Sequence, residues 1–172
     1  MKPTPQQHCL RLNHLGIGDI QLGKRPEQLP DMLPFDHFVG KHTFDVMPAA
    51  SLYHVFDGDL RCTIESQDTG IVLSHLFAAT NENGFINRIF LYTREVNGHL
   101  AERLSQLYGE PNVSKATVAG KLIGTHNSWI TEGETEVSFF SPVYDTTTST
   151  VISFRFFYDF PALKDYMISV TL

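Results

Sequence analysis

The stretch Ile152-Ser153-Phe154-Arg155-Phe156-Phe157-Tyr158-Asp159 decides how the chain is read. Ile152, Phe154, Phe156 and Tyr158 alternate with Ser153, Arg155, Phe157 and Asp159, the period-two pattern of a half-buried strand. Tyr166, Ile168, Val170 and Leu172 alternate with Met167, Ser169 and Thr171 in the same way. Between them, Asp159 to Asp165 holds Pro161 and reads as a turn or short helical loop. The expectation is a terminal antiparallel pair.

Turn residues extend this reading towards the N-terminus. Asp57-Gly58 lies between Leu52–Phe56 and Leu60–Glu65, and Asn83-Gly84 lies between Ile71–Ala78 and Phe85–Thr93. Asp-Gly favours the positive φ of tight hairpins. Glu132-Gly133 gives a weaker version of the signal between Ser128–Thr131 and Thr135–Phe140. Helices are few. Leu100, Leu104 and Leu107, with Ala101 beside them, form one apolar stripe over Gly98–Tyr108. Asn97 suits its N-cap, and Gly109 with Pro111 supplies its stop. A second helix is expected from Pro26 to about Leu33, with Pro26 at the first helical position and Glu27 near the positive end of the dipole. The fold class is therefore α+β: a mostly antiparallel sheet of about eight or nine strands, with two short helices packed on one face. No composition shift marks a boundary, so residues 1–172 read as one α+β domain. Asp145-Thr146-Thr147-Thr148-Ser149-Thr150 reads as a long hairpin loop.

The chain has 172 residues, 42% of them apolar and 13 of them Phe, which excludes intrinsic disorder. Its net charge of −6 argues against nucleic acid as the main partner, because phosphate neutralisation needs clustered Lys and Arg. No run approaches the ~18–20 apolar residues of a membrane span. Behind Met1-Lys2-Pro3-Thr4 there is no apolar signal region, so the expected compartment is the cytoplasm, or the periplasm if a signal has been removed. Two cysteines, Cys9 and Cys62, are too few for a disulfide framework. Sequence leaves open whether they pair or stay as two thiols.

Catalytic chemistry is hard to find. Of the eight His, His37 and His42 with Asp36 and Asp45 nearby are the first metal suspects. Their spacing does not force three or four ligands to converge, so no metal and no cofactor is expected. No Ser stands in a G-x-S-x-G elbow. Arg61 points away from Cys62 along a strand and would not lower its pKa. Gly16-Ile17-Gly18 with Gly23 fits neither phosphate-loop spacing, and reads as a bend or bulge at a strand end. Glu132, Glu134 and Glu136 share one alternation face if their strand is regular, which makes a solvated or partner-facing row.

Two short patterns carry a family resemblance. Ile20-Gln21-Leu22-Gly23 followed by Pro26-Glu27-Gln28-Leu29, and Leu104-Ser105-Gln106-Leu107-Tyr108-Gly109-Glu110-Pro111 with Trp129 downstream, resemble small bacterial envelope modules. These are the β-lactamase-inhibitor-protein-like modules and the outer-membrane assembly lipoproteins of similar form. The resemblance implies a helix layer on an antiparallel sheet and a protein-binding role. The chain departs from it in having no lipid-anchored N-terminal cysteine and more strand between Phe35 and Thr93 than one module needs.

Aromatic pairs supply the remaining signal. Phe139-Phe140 and Phe156-Phe157 put large apolar groups on both faces of a strand, which needs a second layer or loop to cover one face, or a partner. The expectation is a non-enzymatic protein binder, in the manner of an inhibitor or immunity-type neutraliser, whose partner is another protein, possibly basic given the acidic charge. Trp129 and Tyr144 are its expected aromatic anchors, with Glu132, Glu134 and Glu136 at the rim. A homo-oligomer would cover the same aromatics. The alternative is a small-ligand binder or modest hydrolase, with a pocket between helix and sheet near His54 or His75.

Overall fold

The computed structural model describes residues 10–34, 52–58, 60, 71, 73–93, 99–143 and 150–156. A two-stranded piece comes first: β1 (Gly16–Ile17) pairs antiparallel with β2 (Ile20–Gln21). The glycines of this region therefore mark a tight strand turn. Pro26–Gln28 then forms a single 3-10 turn and stops, with Leu29 already extended at φ −100° and ψ 133°. The expected second helix is thus only this turn. Asp31 adopts φ 63° and Met32–Pro34 is strand β3, so the backbone turns away before a full helical turn can follow.

Seven further strands complete one large sheet: β4 (Leu52–Phe56), β5 (Leu73–Thr80), β6 (Ile86–Thr93), β7 (Asn112–Val118), β8 (Lys121–Ile130), β9 (Thr135–Pro142) and β10 (Val151–Phe156). Their spatial order is β3-β4-β5-β6-β10-β9-β8-β7, and every neighbouring pair is antiparallel. The sheet is two four-strand meanders, β3 to β6 and β7 to β10, that meet where their last strands pair. The Asn83-Gly84 and Glu132-Gly133 hairpins are where the turn residues place them. The terminal pair differs. β10 is flanked by β6 on one side and β9 on the other, so both of its edges are taken; the run 166–172 lies outside the described residues. The continuation of the Asp57-Gly58 hairpin over residues 61–65 also lies outside them.

Helix α1 (His99–Tyr108) bridges the two meanders. Its stripe of Leu100 and Leu104 joins Ile17, Ile20, Leu22, Ile89, Leu91, Trp129, Val137, Ile152 and Phe154 in one core on one face of the sheet. A smaller cluster of Tyr53, Ala79 and Phe90 occupies the other face, with Phe77, Tyr92 and Val151 packed against it. No helix among the described residues is long and apolar enough to cross a membrane.

Candidate interaction surface

The far end of the second meander outruns its helix. With ten residues, α1 is ~15 Å long, whereas ten-residue β8 reaches ~33 Å. Its helix therefore covers the Trp129 end of β8 and leaves the β7–β8 hairpin uncovered. Six of the seven β7 residues are exposed, as are Lys121, Leu122 and Ile123.

Ala119 and Gly120 join the two strands, with φ 51° and 77°. Positive φ at both loop positions is the geometry whose twist matches a two-residue hairpin. Lower down, the pairing shifts by one residue between Ala116 and Thr117, a bulge that adds local twist. The Val143 N–H donates to the Ile123 carbonyl there at 3.0 Å, tying the end of β9 to the bulge. Gly124 lies under the Phe140 ring: a Cβ at that position would overlap the ring and the Ser141 carbonyl oxygen.

Nine large apolar side chains are exposed among the described residues, and five lie at this end of the sheet. Val118 lies on β7, Leu122 and Ile123 on β8, Phe140 on β9 and Val143 just after it; Val113 and Ile130 sit at the Trp129 end of β7 and β8, and Leu33 and Phe85 lie elsewhere. Between Glu110 and Glu132 the chain has Lys115 and Lys121 and no carboxylate. These two lysines leave −8 on the remainder of a chain whose total is −6. The hairpin is an apolar, locally basic arm on an acidic protein.

Among the described residues, those expected to form the binding site do not converge. Trp129 is 1% exposed and stacks on Phe139 at 5.9 Å between centroids, so it is a core residue and not a surface anchor. Its Nε1–H donates to the Gly109 carbonyl at 2.8 Å, satisfying a carbonyl just past the end of α1. Glu132 and Glu134 lie in the β8–β9 turn, where Glu134 adopts φ 57° and breaks the alternation expected of the acidic row. Glu136 is on β9 proper, 9% exposed, and accepts a hydrogen bond from Arg155 Nη2 at 3.0 Å across the sheet. Two of the three carboxylates are exposed at a turn, and the third is mostly covered and paired. Tyr144, His37, His42, Cys9 and Cys62 lie outside the described residues.

The pieces near the β8–β9 turn instead form a staple. The Tyr108 hydroxyl donates to the Asn13 carbonyl at 2.9 Å, and the Thr131 hydroxyl donates to the His14 carbonyl at 2.9 Å. Burial pushes the Tyr108 hydroxyl well above the usual phenol range. His54 and His75, the two alternatives for a histidine beside the pocket, lie on opposite faces of the sheet. His54 faces the main-core side opposite Ala78, and His75 is exposed on the other side, stacked with Phe77 at 6.0 Å. Among the described residues, no three His, Cys, Asp or Glu stand close enough to hold a metal ion.

The β7–β8 arm was missed in the sequence because both of its faces are wet and no apolar alternation marks it. Its available signals were the β-branched Val113, Thr117 and Val118 and the Ala119-Gly120 pair. Comparison with known proteins gives no match: no family model, no curated protein and no solved structure is similar to this chain.

Proposed function

We propose that this chain is a non-enzymatic protein-binding module that engages its partner through the β7–β8 hairpin and the adjoining end of β9. The observation that carries this reading is the concentration of exposed apolar side chains, five of nine, on an arm that projects past its helix cover. Isolated apolar side chains on a surface are ordinary, but a contiguous group rimmed by polar residues favours a protein interface. Binding without chemistry is how an inhibitor or immunity-type neutraliser acts.

The acidic total points to a basic partner, while the arm itself carries only lysines. Local charge decides at the contact, because exposed charges are screened beyond ~8 Å at physiological salt. A photo-crosslinking residue at Val118 should give one discrete adduct in the source cell, and the same residue at exposed Gln106 on α1 should give none. Val118→Asp with Leu122→Asp should abolish an adduct formed from Thr117. Equal, diffuse labelling from Val118 and Gln106 would overturn the reading.

A further inference from the structure

We infer that β7 is a docking edge for an extended, acidic protein segment, which adds to the sheet as a ninth strand. This inference rests on the reading of the hairpin as a protein-binding arm and names what it takes.

Among the described residues the sheet has two edges, and they are not equivalent. β3 is three residues long and ends in Pro34, which has no N–H to offer and blunts that edge. β7 offers seven residues without Pro or Gly, six of them exposed. A strand at an edge leaves one row of N–H and C=O groups for an incoming chain. Side chains directly opposite each other across a new pairing share a face. Val113, Lys115 and Thr117 stand on one face of β7, because Val113 pairs with Asn127 on the core side and alternation carries that face along the strand. The incoming strand is thereby specified: a carboxylate opposite Lys115, with β-branched or apolar residues two positions to either side. A second copy of β7 does not meet this requirement, since antiparallel pairing centred on Lys115 sets two ammonium groups against each other. With no carboxylate from Asn112 to Thr131, nothing on the arm itself repels the acidic residue.

The probe is the capped heptapeptide Thr-Val-Thr-Glu-Thr-Val-Thr, titrated into the isotope-labelled full chain while backbone amide signals are followed. The expected result is movement of the Asn112–Val118 signals with those of Met32 and Leu33 unchanged. Replacing the peptide's Glu by Lys should weaken binding about fivefold at low salt. In Lys115→Glu, an exposed position whose change should not disturb the fold, the preference should reverse. Equal binding of both peptides by the wild-type chain would overturn the charge assignment, and movement confined to other strands would overturn strand addition. If β7 stays silent while Val118 still crosslinks a discrete protein, strand addition is wrong and the binding reading stands; if both fail, both fall.

Discussion

Trp129 donates its indole N–H to the carbonyl of Gly109 and stacks on Phe139, so one side chain fixes where the helix ends against the sheet. Trp129→Phe should cost about 1–2 kcal/mol through the lost hydrogen bond and ring volume, and Trp129→Ala about 3–5 kcal/mol, read by urea unfolding. Neither should change crosslinking from Val118 in protein that remains folded. Tyrosines give a second residue-scale prediction. Desolvation pushes Tyr53 from 10.0 up to about 12 against the opposing pull of Arg88, and burial also raises Tyr92 and Tyr108. A folded-state pKa above the unfolded value means that the stabilisation is complete below pH 10.0 and decays as pH climbs towards about 12. The melting temperature should therefore fall across that window, with tyrosinate absorbance rising late. Tyr53→Phe should flatten part of the fall.

Among the elements, the β7–β8 hairpin combines a conformational cost with an exposed edge. Ala119 sits at φ 51°, a region that costs most L-residues about 1–2 kcal/mol and that Asn tolerates better. Ala119→Asn should raise the unfolding free energy by about 0.5–1 kcal/mol, measured by chemical denaturation. Gly124→Ala should act in the opposite direction, because the added methyl meets the backbone carbonyl of Ser141, which a side-chain rotation cannot relieve. Lys115 is the single charge on β7, and a lone lysine at the centre of an edge strand is a common guard against self-pairing. Lys115→Val should increase self-association in sedimentation at high protein concentration. An unchanged sedimentation profile would mean that twist from the Ala116/Thr117 bulge already closes the edge.

At the scale of the whole molecule, the two meanders hold together along the β6–β10 seam. Leu91 faces Ile152 there, and Ile89 faces Phe154, all four at 0% exposure. Ile152→Ala leaves a cavity at that seam and should cost about 2–5 kcal/mol. Trp129, the one tryptophan, reports on the second meander, whereas far-ultraviolet dichroism reports on both. If the seam couples them, both signals should lose midpoint stability together in Ile152→Ala. Separate midpoints would show that each meander unfolds alone.

By itself the sequence determined the features that short-range chemistry controls. Period-two alternation located β10, Asn83-Gly84 and Glu132-Gly133 placed the β5–β6 and β8–β9 hairpins, and the leucine stripe with Gly109 and Pro111 bounded α1. Each signal acts within a few residues and survives without knowledge of what lies across the sheet. Tertiary structure alone decided the partners of β10, the burial of Trp129 and the separation of Glu136 from Glu132 and Glu134. An aromatic ring suits a core and an interface equally well, so only the helix end packed over Trp129 settles its environment. Strand pairing joins residues far apart in sequence, as Leu91 with Ile152 does, and nothing local to either one specifies the other. The exposed arm follows the same logic, because it exists where a ~15 Å helix fails to cover a ~33 Å strand, a comparison of lengths that only the assembled molecule makes.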